Sequence, residues 1–481
     1  MSLVYLWVFL VTLAQVSLAF GVTVHAVLNK RDTRAAIGWS ALAWLAPFVG
    51  SLAYIVLGVN RINRAGTRMG LSDIMLKIPS FSLSESERVL FEETNVLLPH
   101  IAGLARAGEA LSAKPLLPGN TVHCLRDGDE AYPEMIAAID AAKFSVGLLS
   151  YIFDSDRAGE EFLNALVRAK DRGVEVRVLI DDVGARYSKE NMITRLKEAG
   201  IEAASFLPTS GFSSRRFSNL RNHRKILVVD GCIGFTGGTN IREAHCLNLK
   251  PEGPTQCLHF KFEGPVVSHF KQVFVTDWAF TTGEQLSGSA WFPELSRHGS
   301  VWSRGISHGP DEDFETLSKL IFAALSAARE RVRIVSPYFL PDSRLIEALS
   351  VAALRGIKVE IYLPSDNNVK IVEWAAMGQI GQIMEHGCRV FLTKPPFDHT
   401  KLMLVDDVWA LVGSTNWDPR SLRLNFEFNV ECYHRALSEE LHAILDEKTL
   451  GAREMSLEEI KDLPLWAKLR NGLARLLSPY L

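Results

Sequence analysis

Two stretches of the chain carry one array of reactive side chains at identical spacing. The first is His223-x-Lys225-x4-Asp230-x6-Gly237-Gly238-x-Asn240, and the second is His399-x-Lys401-x4-Asp406-x6-Gly413-Ser414-x-Asn416. In an extended strand, residues two apart share a face, so each histidine and lysine converge on one pocket while Ile226 to Val229 and Leu402 to Val405 build core. A single His-x-Lys is commonplace on a surface strand. Two complete copies with every offset conserved inside one chain point instead to a paired site.

The chemistry explains the pairing. In-line displacement at phosphorus needs a nucleophile on one side and a leaving-group acid on the other. Histidine serves as the first when neutral and as the second when protonated, both near neutral pH. Lys225 and Lys401, with Asn240 and Asn416 as amide donors, are expected to hold the non-bridging oxygens as charge builds on them. The arrangement calls for no metal and no organic cofactor. Asp230 and Asp406 are catalytic candidates by position, and two roles stay open for them: contact with substrate, or the fixing of strand geometry.

The elements that must hold these arrays repeat as well. A helical pattern through Met135, Ile136, Ala138 and Ile139 leads to a strand over 145–153, a helix over 159–172 and a strand over 174–181. The order recurs as a helix over 317–329, a strand over 332–339, a helix over 342–355 and a strand over 357–363. Arg172-Gly173-Val174 matches Arg355-Gly356-Ile357, with glycine where a helix end requires a left-handed residue. Alternating helices and strands predict an α/β fold with a parallel or mixed sheet, built as two lobes on one plan.

Before the lobes, residues 3–28 hold no charged residue other than a possible charge on His25, and residues 35–59 hold none. Each stretch is long enough to cross a bilayer, which takes about 20 apolar residues. The polar turn Asn29 to Arg34 joins them, so a transmembrane hairpin with both ends on one side is expected. A cleaved signal peptide would begin with a basic segment and would not be followed at once by a second apolar span. Lys30, Arg31 and Arg34 in the turn balance Arg61, Arg64 and Arg68 beyond the hairpin, so charge alone does not orient it. Trp39, Trp44 and Tyr54 are either interfacial anchors or packing between the two helices. The expected organisation is a hairpin over 1–60, a polar tether over 61–118 with a Ser-rich run and a helical pattern through Val89, Leu90, Val96, Leu97 and Leu98, a first lobe over 119–300, a second over 301–452, and a C-terminal amphipathic segment over 453–481.

Composition narrows the partners. A net charge of −3 with 22% charged residues gives no bulk electrostatic case for binding nucleic acid. The six cysteines, Cys124, Cys232, Cys246, Cys257, Cys388 and Cys432, form no C-x-x-C pair and are expected as free thiols in a reducing compartment. His123, His245, His259, His269, His386 and His434 share no ligand-like spacing and are expected to be packed or solvated. Trp374, Met377 and Met384, at roughly helical intervals, are expected in the core.

The paired arrays, together with the residues around them, resemble the bacterial cardiolipin synthase branch of the phospholipase D superfamily. The similarity covers nearly the whole chain. It runs through Ala36-x-x-Trp39, Pro47-x-x-Gly50, Gly119-Asn120-x-Val122, Arg221 to Lys225, Glu263-Gly264-Pro265, Asp277-Trp278 and Ser336-Pro337-Tyr338-Phe339. Its most specific part is Gly413-Ser414-Thr415-Asn416-Trp417-Asp418-Pro419-Arg420-Ser421, continuing to Leu424-Asn425-Phe426-Glu427. The resemblance implies two phospholipase D-like lobes with pseudo-two-fold symmetry. It also implies transfer of a phosphatidyl group from one phosphatidylglycerol to another through a phosphohistidine, with release of glycerol and net retention at phosphorus. By analogy His223 attacks, while His399 protonates the leaving glycerol and then deprotonates the incoming alcohol; the two roles are open to exchange.

One departure from the family pattern is Cys257, seven residues before Gly264, where the branch carries an acid expected to orient the first histidine. In the second lobe Glu427 is expected to favour the protonated form of His399, leaving His223 the more neutral. Arg215, Arg216, Arg221, Arg224 and Lys225 place five charges in eleven residues beside His223, either an anionic-headgroup surface or a solvated face. Residues 463–481, with Trp466, Leu469, Leu473, Leu476 and Leu477 among Lys468, Arg470 and Arg475, form either an interfacial amphipathic helix or a cap on the second lobe. The same site residues would serve a phospholipase D that hydrolyses phospholipid to phosphatidic acid. A nucleic-acid phosphodiesterase is disfavoured by the hairpin and the weakly charged surface, and a non-catalytic scaffold by two complete arrays. The expected partners are phosphatidylglycerol and membrane lipids, at a bacterial inner membrane with the lobes in the cytoplasm.

Overall fold

A computed structural model describes residues 3–30, 33–58, 99–208, 220–310 and 315–478, and it divides into two units, Met1–Arg68 and Met69–Leu481. In the first unit, Leu3–Asn29 is one helix of 27 residues, long and apolar enough to cross a membrane. The second expected span is not a single helix. It runs as Thr33–Leu45, then Pro47–Ala53, then a π-helical turn Tyr54–Gly58. Pro47 has no N–H to continue the ladder, and Ala46 before it leaves the helical region at φ −139°. The two arms still pack, burying Ala19, Val22, Ala26 and Ala43. Tyr54 Oη lies 2.8 Å from His25 Nδ1, Trp39 meets Tyr54 edge-on at 5.4 Å, and Trp44 Nε1 donates to Thr23 Oγ1 at 3.1 Å. Tyr54 and Trp44 therefore join the arms, and Trp39 packs on Tyr54 within the second arm.

Among the described residues the second unit is built on a 16-stranded sheet, fifteen strands in one run and Arg221–Asn222 pairing beside Asn425–Tyr433, whose order explains the duplicated sequence. From one edge it runs Arg453–Glu454, Arg389–Thr393, Lys358–Pro364, Arg331–Val335, Leu402–Val405, Trp409–Gly413, Asn425–Tyr433 and Val301–His308. It continues through Leu117–Arg126, Leu258–Glu263, Ile233–Gly237, Ile226–Val229, Ser145–Ser150, Glu175–Asp181 and Glu202–Phe206. Leaving aside the edge strand Arg453–Glu454, the order of corresponding strands is the same read inward from either side. The two halves join where Leu117–Arg126 pairs antiparallel with Val301–His308, Leu117 opposite Ser303. Parallel pairing within each half, for example Val146 beside Val176 and Val332 beside Val359, is fed by the helices Arg157–Asp171 and Ser343–Leu354. Both helices end at a glycine with φ +87°, Gly173 and Gly356, as the matched sequences predict.

Part of the stretch expected as tether is folded onto the second half. Pro99–Ser112 is a helix whose Ile101, Leu104 and Ala105 are buried with Ile306, Leu317 and Leu320 in the core of the second half. Amphipathic periodicity there is weak beside the polar run before it, which is why the segment reads as linker. The Ser-rich run and the pattern from Val89 to Leu98 lie outside the described residues. At the other end, Leu465–Leu476 lays Ala467, Asn471 and Ala474 toward the helix Lys370–Met377, with Arg470 over the rings of both Trp374 and Trp466. Leu465, Trp466, Leu469, Leu473 and Leu476 stay exposed on its other side. The helix thus caps the second half and keeps an amphipathic outer face. Met377 and Met384 pack on the core as their spacing suggests.

Candidate active site

Each array histidine is hung from the opposite half. The two-residue strand Arg221–Asn222 pairs in parallel with Asn425 and Phe426, and Phe397–Asp398 pairs in parallel with Thr255 and Gln256. The ladder continues one residue further: His223 N donates to Phe426 O at 2.9 Å, and His399 N donates to Gln256 O at 2.7 Å. The two arrays are thereby drawn to one seam. His223, Lys225, His399 and Lys401 are all buried. Lys225 Nζ donates to His223 O at 2.8 Å, and Lys401 Nζ to His399 O at 2.5 Å. Burial, and after it the other's charge in the case of Lys225, brings the lysines down to about 7 and about 8. Two desolvated ammonium groups of this kind are a prepared anion site.

The register corrects the expected partner of each histidine. Because Asn425 and Phe426 face Arg221 and Asn222, the next residue, Glu427, meets His223 and not His399. His223 Nδ1 lies 3.0 and 3.1 Å from the two carboxylate oxygens of Glu427, which is fully buried. By the same register Cys257 stands opposite His399. It occupies the position of Glu427 in the other half, so the departure is real but it affects the second histidine. His399 Nδ1 instead donates to the carbonyl of Gly238 at 2.9 Å. A second difference accompanies the first: the Ser414 hydroxyl donates to Glu427, while its counterpart Gly238 has no side chain, and a Cβ there would stand 2.6 Å from Cys257 Sγ. Sequence offsets locate both acid positions, but only strand pairing across the halves tells which ring each one meets.

The electrostatics invert accordingly. Burial lowers His223 to about 4, and Glu427 works against that fall. Burial and the charges of Lys401 and Lys225 hold His399 well below its ordinary value with no carboxylate among the causes. His399, not His223, is the more firmly neutral ring. In both, an acceptor at Nδ1 fixes the tautomer and leaves Nε2 for chemistry.

Asp230 and Asp406 do not reach the reacting centre. Asp230 accepts from the backbone N–H groups of Lys143, Phe144 and Ser145 at 2.7–3.2 Å, and Asp406 from those of Arg329, Glu330 and Arg331 at 2.8–3.3 Å. Both sit at positive φ, +48° and +50°, in the turns that follow the strands Ile226–Val229 and Leu402–Val405. Their role is to clamp the turn to the neighbouring strand, which corrects their place among the catalytic residues. Asp406→Ala is expected to lower stability by about 2–3 kcal/mol, seen as a fall in Tm, with turnover per folded molecule within about threefold of the parent. A large loss of turnover in a folded variant would contradict this role.

Asn240 and Asn416 are buried at the ends of their arrays. Asn416 Nδ2 is 3.3 Å from Ser421 Oγ, and its Oδ1 has no hydrogen-bond partner among the described residues. Arg224 leaves the proposed headgroup cluster. Lying between His223 and Lys225, it points to the other face of the strand, where it holds both oxygens of Asp277 at 2.6 and 2.7 Å and donates to Glu427 O at 3.1 Å. Arg215 and Arg216 lie outside the described residues. The sequence reading did not find Tyr151, whose ring meets His223 edge-on at 5.0 Å with Lys225 Nζ 5.4 Å over it. It also missed the wall around His399, formed by Tyr338, Phe397 and His245 at 6.1–6.4 Å between ring centres. Strand-end position was the available signal, since Tyr151 follows the strand Ser145–Ser150 directly.

Comparisons with known proteins place the chain in a family. The family model described as cardiolipin synthase, PLD-like domain, matches twice, over residues 135–278 and 321–449. The chain belongs to this cardiolipin synthase family of phospholipase D-like proteins. Among its relatives, cardiolipin synthase A of Pseudomonas fluorescens (strain SBW25) is 33% identical over 463 residues, covering 95% of each chain. The major cardiolipin synthase of Bacillus subtilis (strain 168) is 29% identical over 466 residues, covering 94% of this chain and 95% of that one. The crystal structure of phosphatidylserine synthase from Haemophilus influenzae Rd KW20 superposes with a TM-score of 0.59 at 16% identity, covering 79% of this chain and all of that one. That likeness is one of fold alone.

Proposed function

We propose that this phosphatidyltransferase makes cardiolipin from two phosphatidylglycerols through a phosphohistidine, with His399 as the nucleophile and His223 as the acid and base. The observation that carries the roles is Glu427 on His223. An acid must hold a full positive charge in a buried site before it gives up its proton, and a carboxylate at Nδ1 stabilises that charge. The nucleophile needs a neutral ring with its Nε2 lone pair free, which the Gly238 carbonyl at Nδ1 of His399 favours. The roles are thus the exchange of those taken by analogy.

In the first step His399 Nε2 bonds to phosphorus, the bond to the glycerol oxygen breaks, and His223 Nε2–H gives that oxygen its proton. In the second, neutral His223 takes the proton from a hydroxyl of the second lipid, whose oxygen bonds to phosphorus as the bond to His399 breaks. Lys225 and Lys401 hold the non-bridging oxygens throughout. Residues 3–58 would anchor the enzyme at a bacterial inner membrane with two crossings, and the free thiols favour catalytic halves on the cytoplasmic side. The test is product analysis of purified full-length enzyme with radiolabelled phosphatidylglycerol: cardiolipin and glycerol in equal amounts are expected. Phosphatidic acid as the sole product would make the enzyme a hydrolase.

A further inference from the structure

The helix Leu465–Leu476 commits one face to the protein and leaves the other exposed. Ala467, Asn471 and Ala474 form the buried side. The seat is close: a Cβ on Gly378 would stand 2.7 Å from Asn471 O, and Arg475 Nη1 donates to Gly378 O at 3.1 Å. Successive helical residues turn by about 100°, so the exposed Leu465, Trp466, Leu469, Leu473 and Leu476 fall within one arc of about 100°, turned away from the buried side. Arg470 stands at one border of that arc, next to Trp466, and Lys468 and Arg475 stand at the other.

Composition says what covers this face. Residues 463–481 carry Lys468, Arg470 and Arg475 and no acidic residue. Arg470 Nε and Nη2 donate to Asn471 Oδ1 at 3.1 and 3.0 Å, and Lys468 Nζ donates to Lys461 O, so these bonds go to neutral oxygens and leave the charge in place. Two copies pressed together on this face would bring like charges together at its borders. A leucine stripe with tryptophan at its edge and cations along both borders matches instead the surface of an anionic bilayer. There the leucines sink among acyl chains, the indole stays near the headgroups and the cations reach phosphate.

The helix stands beside the reacting centre. Ala474 is buried with Leu340, Val372, Ala375 and Ala376, and Tyr338 packs on that cluster. Tyr338 in turn meets His399 at 6.4 Å between ring centres, and its hydroxyl donates to Asn368 Oδ1 at 2.8 Å in a bond open to solvent. One packed layer therefore separates the helix from the aromatic wall of the His399 pocket. Resting on the phosphatidyl transfer and histidine roles proposed above, we infer that Leu465–Leu476 lies in the surface of an anionic bilayer and brings the Tyr338 edge of that pocket to the lipid. A phosphatidyl group on His399 then keeps its acyl chains in the bilayer while its phosphorus reacts.

Full-length enzyme in phosphatidylglycerol nanodiscs, part of the lipid brominated along its acyl chains, reads the contact directly. Quenching of Trp466, taken as the parent signal minus that of Trp466→Phe, is expected, and its absence would overturn the docked helix. Leu469→Glu and Leu473→Glu together should lower cardiolipin formation in the discs roughly tenfold, with turnover of monomeric dihexanoyl-phosphatidylglycerol down less than about twofold. Leu354→Glu, on an exposed leucine of another helix, should change neither rate. A parallel fall on both substrates would overturn the inference, since the helix would then serve the fold alone, and so would no change on either. A halved molar mass of the double variant in detergent would overturn it too, by giving the face to a second copy. Should the parent turn over neither substrate, phosphatidyl transfer falls, while Trp466 quenching by itself still supports or overturns the docked helix.

Discussion

His399→Ala should abolish every partial reaction, while His223→Ala should still release a burst of p-nitrophenol from phosphatidyl-p-nitrophenol. The activated phenol departs without a proton, so losing the acid spares formation of the phosphoenzyme, whereas losing the nucleophile does not. With phosphatidylglycerol, both variants are expected to lose at least about 10³-fold, because glycerol is a poor leaving group without its acid. Rapid-quench measurement of the burst, with mass analysis of the adduct, reads the result directly. A burst retained in His399→Ala and lost in His223→Ala would return the nucleophilic role to His223.

The second large effect concerns Glu427. Its carboxylate raises His223 against the larger pull of burial, so Glu427→Gln should lower that ring further. The acid works only while protonated. Lowering its pKa therefore moves the alkaline limb of the kcat profile to lower pH and reduces turnover at pH 7 by roughly 10²–10³-fold. Cys257→Asp should act on the other limb. A carboxylate opposite His399 would raise that ring, and its neutral form would then be lost at a higher pH as the solution is made acidic, moving the acidic limb upward. If Glu427→Gln moved the acidic limb and Cys257→Asp the alkaline one, the roles of the histidines would be reversed.

Most of the architecture was legible in the residues because burial imposes a period. The helix and strand boundaries of the duplicated βα units fall within a few residues of the observed Arg157–Asp171, Glu175–Asp181, Ser343–Leu354 and Lys358–Pro364. Gly173 and Gly356 marked both helix ends for a reason of backbone conformation. The second arm of the hairpin was less legible: hydropathy measures transfer to lipid, and it does not register the N–H that Pro47 lacks. Pro99–Ser112 was missed because a helix that buries only one narrow face beside a polar run resembles linker.

The chain's sequence alone put two histidine–lysine pairs on equivalent strand faces, since identical offsets in a duplicated α/β unit impose identical faces. It also located the acid missing at Cys257. Which histidine keeps an acid was decided only by the tertiary structure. Short strands cross between the halves, Arg221–Asn222 onto Asn425–Phe426 and Phe397–Asp398 onto Thr255–Gln256, so each acid position serves the ring of the other half. The same holds for Asp230 and Asp406: their spacing places them in the array, but a positive φ and three backbone N–H groups turn each carboxylate away from the site and onto the adjoining strand. Local spacing sets which face a side chain takes, and long-range strand pairing sets what that face meets.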